Sequence, residues 1–265
     1  MGASSSREIQ IGALVLKPKM LLGEGRHAQV WLVKETKSKV RYACKAINAE
    51  EEERRQIALA EAELLRKMGR HPHIISYCGH VDDVLEGARG SRGARVVFIL
   101  MELAAHGSLA DNIAKRRGSP EANQTMRPFS EQEALRLLRH LCRGLDRLHG
   151  ERPHPVALRD LKAENVLVCD GPTYKLCDLG SAAVLRPNSV PRSAAERARN
   201  AERLLDVTTP AYRAPEMAQA WGEDDAAGTA SDIWALGCEP LGQTVNTWTE
   251  PATGLGIRAQ SLMSV

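Results

Sequence analysis

The chain has 265 residues, 43% of them hydrophobic, with 36 basic and 33 acidic residues for a formal charge of +3. That length suits one two-lobed domain or two small ones, and so balanced a charge argues against a general nucleic-acid binder. The longest apolar run, residues 96–101, is too short to cross a bilayer, and no signal-peptide core opens the chain. Cys44, Cys78, Cys142, Cys169, Cys177 and Cys238 form no C-x-x-C pair and sit in apolar stretches, so they read as reduced, mostly buried thiols of a cytosolic protein.

The opening Met1-Gly2-Ala3-Ser4-Ser5-Ser6 fits the acceptor pattern for N-myristoylation, and otherwise reads as a flexible polar leader over residues 1–13. A single myristoyl chain binds membranes at only about 10⁴ M⁻¹, so anchoring through Gly2 is expected to be reversible. Residues 14–101 read as a β-rich lobe with strands at 15–22, 30–34 and 40–47, a charged helix over 51–68, and strands at 75–81 and 96–101. Residues 86–95 are a polar, glycine-rich connection. After Gly107 the pattern turns helical. Ser130-Glu131-Gln132-Glu133 is a capping box, and Leu135, Leu138, Leu141, Cys142, Leu145 and Leu148 follow at helical spacing up to Gly150. Short strands at 166–169 and 174–177 precede a long polar segment over 181–209.

Between these elements lie the groups that carry chemistry. In Ala157-Leu158-Arg159-Asp160-Leu161-Lys162-Ala163-Glu164-Asn165, an aspartate stands five residues ahead of an asparagine and two ahead of a lysine. Such an aspartate can orient a hydroxyl, the lysine can offset charge on a moving phosphate and the asparagine can hold a metal. Leu22-Gly23-Glu24-Gly25-Arg26-His27-Ala28-Gln29-Val30 is a hairpin whose small residues let backbone N–H groups approach phosphates. Lys45 lies in an apolar strand, where an ammonium needs a partner because desolvation costs several kcal/mol. Ile57, Glu61 and Leu65 fall at i, i+4 and i+8, which puts Glu61 on an inward face; Glu63 is the competing partner.

The order of these segments resembles the protein kinases. The loop at 157–165 is similar to their catalytic loop, with Leu158 where the family has histidine, and 22–30 to their glycine-rich loop, with Ala28 for the third glycine. His71-Pro72-His73-Ile74 is similar to a kinase motif whose placement favours Glu61 as the partner of Lys45. Residues 98–104 resemble the strand and hinge that bind adenine. There Met101 is the gatekeeper, the backbone of Glu102 and Ala104 pairs with the base, and Leu22, Val30, Ala43 and Leu167 enclose the ring. Ser108 and Asp111 are expected near the ribose. Asp178-Leu179-Gly180 resembles D-F-G, and Leu158 is expected to pack against Leu179. Residues 208–216 resemble the segment ending in A-P-E, with Thr209 beside the catalytic aspartate and lysine; residues 231–237 resemble the helix whose Asp232 fixes the catalytic-loop backbone.

The resemblance implies an α+β, bilobal kinase fold, with an N-lobe over 14–103 and a C-lobe over 104–238. It implies an ATP- and Mg²⁺-dependent serine/threonine kinase. Asp160 is then the base, Lys162 and Thr209 assist it, Asn165 and Asp178 bind the metal, and Lys45, held by Glu61, grips the phosphates with Gly23 and Gly25 covering them. Arg159 would meet a phosphate at Ser181, Ser189, Ser193 or Thr208. Lys175-Leu-Cys-Asp-Leu-Gly-Ser181, Asp232-Ile-Trp-Ala-Leu-Gly-Cys238 and the Met-Gly start are similar to the Numb-associated kinases, among them adaptor-associated, cyclin-G-associated and myristoylated Golgi members. That likeness implies a cytoplasmic protein, peripheral on Golgi or vesicle membranes, with protein substrates such as vesicle adaptors and no nucleic acid. Beyond Cys238 the pattern stops: Glu239-Pro240-Leu241-Gly242 is expected to end the helix, residues 239–265 read as a non-homologous tail from altered splicing or a faulty gene boundary, and Glu216 is expected to lack its buried arginine partner. A truncated, non-catalytic binding module is the alternative.

Overall fold

The computed structural model describes residues 8–85, 93–117, 129–186, 193, 202, 204–218 and 228–244, the stretch 239–244 by its backbone alone. The chain divides into two compact units, one of residues 1–105, 169–171 and 176–180, the other of residues 106–168, 172–175 and 181–265.

The first unit is one antiparallel six-stranded sheet in the order β1-β2-β3-β4-β6-β5, made of β1 (Ile9–Ile11), β2 (Leu14–Glu24), β3 (Ala28–Glu35), β4 (Arg41–Asn48), β5 (Tyr77–Leu85) and β6 (Ala94–Glu102). Period-2 alternation sends Leu16, Val33, Cys44, Phe98 and Leu100 to one face, where they pack with Ile11. Strand β1 lies inside the segment expected to be a leader. Three residues give too little alternation to read, and Gly12, at φ +58°, makes the tight turn that pairs Ile11 with Leu14. The strand expected from residue 75 starts at Tyr77 instead, because Ile75 donates its N–H to the Leu176 carbonyl at 2.9 Å rather than to the sheet.

Helix α1 (Glu52–Met68) buries Ala58, Glu61, Ala62, Leu64, Leu65 and Met68, with acids in its first turn and bases in its last, as the helix dipole favours. Ile57, expected on the inward face, is 45% exposed. A spacing of four residues drifts 40° per step, and the stripe centres one residue further round, on Ala58 and Ala62.

The second unit holds α2 (Leu109–Arg117) and α3 (Glu131–His149). The capping box of α3 is formed: Glu133 N–H donates to Ser130 Oγ, and Ser130 N–H to Glu133 Oε2 at 2.8 Å. Its buried stripe is Leu137, Leu141, Gly144, Leu145 and Leu148, whereas Leu135 and Cys142, both expected inside, are exposed. Strand β7 (Val156–Ala157) pairs with β10 (Ala183–Val184), a short strand within the segment read as merely polar; β8 (Val166–Cys169) pairs with β9 (Thr173–Leu176). Next come α4 (Pro215–Ala218) and α5 (Thr229–Thr244). Helix α5 runs through Pro240 and Gly242, against the expected break. A proline removes one N–H donor and a glycine lowers propensity, but neither forbids helical φ.

One further expectation fails. Only Cys44 is fully buried, Cys78 and Cys142 being exposed and Cys169, Cys177 and Cys238 in between; a thiol inside an amphipathic element takes whichever face its register dictates. Glu216 has no ion pair among the described residues, as expected, but it is exposed on α4, so the cost of an uncompensated buried carboxylate does not arise there. Among the described residues no helix is long and apolar enough to cross a membrane.

Candidate active site

In the β-rich unit the glycine loop is the β2–β3 turn, with Gly23 opposite Val30 and Glu24 opposite Gln29. Gly25 donates its N–H to the Ala28 carbonyl at 2.8 Å and so closes the turn, while Gln29 Nε2 reaches Glu24 Oε1 at 2.8 Å. A side-chain carbon at Gly23 would meet nothing within 4 Å, so the space over this strand is open. Lys45 stands opposite Val30 on one side and Ile99 on the other, and Ala43 opposite Met101. These five residues lie on β3, β4 and β6, and β6 ends at Glu102, whose N–H donates to the Ser76 carbonyl at 3.0 Å and whose carboxylate accepts from Ser76 N–H at 2.7 Å. Ala104 follows β6 and is half-buried; Leu22, at 43% exposure, is the most open of the group.

Lys45 Nζ donates to Glu61 Oε1 at 2.7 Å, to Glu61 Oε2 at 2.9 Å and to Asp178 Oδ1 at 2.8 Å. Glu61 is therefore the partner; Glu63 lies exposed, paired with Arg66. Burial pulls the Lys45 ammonium down, but Glu61 and Asp178 outweigh it and hold it above its ordinary value. Burial pushes Glu61 up, and Asp178 adds to this while Lys45 opposes it. Both directions fit a cluster with two carboxylates for one ammonium. Asp178 takes φ +58°, and a methyl group on Gly180 would stand 3.1 Å from Asp178 Oδ1 and 3.2 Å from Glu61 Oε2, so the glycine lets the two acids approach. Leu179 is buried in this unit, as Leu158 is in the other.

In the helical unit Asp160 is clasped. Its Oδ1 accepts from Thr209 Oγ1 at 2.7 Å and from Thr209 N–H at 3.1 Å; its Oδ2 accepts from Asn165 Nδ2 at 3.1 Å and pairs with Lys162 Nζ at 2.6 Å. Lys162 also donates to Thr209 Oγ1 at 3.0 Å, and Asn165 Nδ2 to the Asp160 carbonyl at 2.9 Å. The loop beneath hangs on Asp232, 1% exposed on α5, which accepts from the N–H groups of Leu158 and Arg159 at 2.7 Å each. The same carboxylate meets His149 Nε2 at 2.8 Å. Sequence reasoning missed His149; its only signal was a polar residue closing a leucine-rich stripe. Burial lowers Arg159, with Asp232 opposing, and its backbone takes φ +70°.

Thr208 is buried, its hydroxyl donating to the Leu204 carbonyl and accepting from Arg213 Nε, so it is not displayed as a phosphate site; Ser181 Oγ donates to the Val207 carbonyl. Ser189 lies outside the described residues. The Asp111 carboxylate accepts from Ser108 N–H at 2.9 Å and Ser108 Oγ at 2.7 Å and thereby caps α2, and Leu167 bridges to Ser108.

Residues 16–242 match the protein kinase domain. The chain belongs to the protein kinase family. It is 33% identical over 219 residues, 82% of its length, to a probable serine/threonine-protein kinase of Dictyostelium discoideum, covering 25% of that protein. A second probable serine/threonine-protein kinase of that organism is 29% identical over 241 residues, 90% of this chain and 20% of its own. Serine/threonine-protein kinase ppk30 of Schizosaccharomyces pombe is 31% identical over 231 residues, 87% of this chain and 22% of its own. The chain thus spans a quarter or less of the length of these relatives. The β-rich unit is the kinase N-lobe, and the helical unit its C-lobe region.

Proposed function

We propose that this kinase domain transfers the γ-phosphate of ATP to serine and threonine hydroxyls of protein substrates. The observation that carries the reading is the clasp on Asp160: its carboxylate is oriented by Thr209 and Asn165 while the Lys162 ammonium lies beside it, an arrangement ready to align an alcohol and accept its proton. Lys162 bridging to Thr209 supports serine or threonine rather than tyrosine as acceptor.

The residues fit ATP and Mg²⁺. Asp178 offers a 44% exposed carboxylate within a cluster carrying surplus negative charge, and the Asn165 carboxamide is a second hard oxygen donor, as Mg²⁺ requires. Lys45 would grip the α- and β-phosphates, the turn from Gly23 to Ala28 would cover them, and Leu22, Val30, Ala43, Met101, Glu102, Ala104 and Leu167 would hold the base. Bound magnesium and nucleotide supply the phosphoryl group and offset its charge; Asp160, Lys162 and Thr209 do the rest.

Incubating the purified chain with labelled ATP and a general protein substrate tests this. Label is expected on phosphoserine and phosphothreonine, and Lys45→Ala or Asp160→Asn should remove it; equal signals from all three proteins would defeat the reading. A second reading, a non-catalytic binding module, is favoured by Ile233 and Trp234, 48% and 41% exposed on α5. Nucleotide binding without transfer would single it out. The motifs shared with the Numb-associated kinases support vesicle adaptors as substrates and a cytoplasmic protein peripheral on Golgi or vesicle membranes. Gly2, the acceptor for a reversible myristoyl anchor, lies outside the described residues; the intact mass of the expressed protein tests it.

A further inference from the structure

The register of the sheet assembles a cationic row that the linear sequence hides. Lys17 on β2 stands opposite Lys34 on β3, and Lys34 opposite Arg41 on β4, so three cations from three strands share one face. Lys37 and Lys39 crown the β3–β4 turn, and Lys19 follows on β2, all exposed. Like charges placed directly across strands oppose sheet formation. Among the described residues only two carboxylates stand with these six cations. Glu8 pairs with Lys17 at 3.0 Å, and Glu35 is buried on the opposite face, bonded to the turn. The surplus of four exceeds the +3 of the entire chain. Among the described residues neither Lys34 nor Arg41 has an ion-pair partner.

From this we infer that this end of the sheet docks on an anionic membrane surface. The cations come from strands and a turn and so form a broad array rather than a groove, which suits a lipid surface better than an extended acidic peptide. Apolar side chains stand among them, Val40 at 47% and Met20 at 55% exposure, as interfacial contacts require. The chain also enters the fold here. Gly2 is six residues before Glu8, the partner of Lys17, so a lipid on it would be tethered within about 20 Å of Glu8. One acyl chain is a marginal anchor alone, and a basic patch is the second signal that makes it stable.

The test needs neither acylation nor catalysis. The full chain, produced without acylation, is sedimented with phosphatidylcholine vesicles with and without phosphatidylserine. Binding should appear only with the anionic lipid and weaken with salt. Each cation near the surface is worth roughly fivefold in partitioning, so Lys37→Glu with Arg41→Glu should lower it by roughly 25-fold or more. Should that pair unfold the sheet, as a thermal melt would reveal, Lys17→Gln with Lys34→Gln serves instead, and Lys34→Arg should retain binding. Arg41 lies four residues, about 13 Å, along β4 from Lys45, so these changes leave the phosphate-gripping group alone. Equal binding of wild type and charge variants, equal binding to uncharged vesicles, or retention on immobilised polyglutamate but not on vesicles would each overturn the inference.

Discussion

In the β-rich unit one ammonium holds two carboxylates; in the helical unit one carboxylate is held by an ammonium, a hydroxyl, a backbone N–H and a carboxamide. The first cluster carries net negative charge and suits an incoming cation, while the second is balanced and already oriented, which is how electrostatic pre-organisation lowers a barrier without rearrangement. They also differ in what supports them. Lys45 and Glu61 sit on a strand and a helix whose own faces aim them, whereas Asp160 sits on a loop that depends on Asp232, far along the chain.

The sharpest way to break the contrast is Asp160→Asn, which keeps the shape of the clasp and removes its charge. Phosphate transfer should fall by roughly 10²–10⁴-fold with the thermal melt nearly unchanged. Next, Asp232→Ala strands the N–H groups of Leu158 and Arg159 and the His149 ring in a buried site and should cost about 3–5 kcal/mol in urea denaturation. Glu61→Gln should do the reverse, lowering transfer roughly 10- to 100-fold by loosening Lys45 while leaving stability the same or higher. Its pH signature has a definite sign. A carboxyl whose folded pKa is raised stabilises below its unfolded value, near 4.5, and loses that contribution as pH rises through the folded value. The wild type minus Glu61→Gln stability difference should therefore decline above pH 4.5. The smallest effect falls on Glu133, held down to about 2 mainly by its hydrogen bond to Arg116. Its contribution is present above pH 4.5 and fades as pH falls towards 2. Because its side chain is a third exposed, Glu133→Gln should cost only about 0.5–1 kcal/mol.

Residues whose role follows from a repeating face were legible in the sequence. Helical spacing narrowed the partner of Lys45 to Glu61 or Glu63, with the His71-Pro72 motif favouring Glu61, and an isolated lysine in an apolar strand identified Lys45. The motif order located Asp160, Asn165, Asp178 and Asp232, because loop chemistry repeats at fixed spacing even where no periodicity exists. What escaped depends on rotation or pairing. Ile57, Leu135 and Cys142 fell on the solvent side because a helical stripe is narrower than the spacing rule suggests, and β1 and β10 are too short to alternate. The cationic row needed the strand register, which no single strand encodes. His149 needed the partner it meets 83 residues away.

The dependence on Asp232 also orders events during synthesis. The N–H of Leu158 is anchored by a carboxylate translated 74 residues later. At about 5–20 residues per second, the ribosome needs several seconds to pass from the Asp160 loop to the residue that sets it. Throughout that interval the N–H groups of Leu158 and Arg159 lack the acceptor that the folded chain gives them, so the loop takes its final form only once Asp232 has emerged.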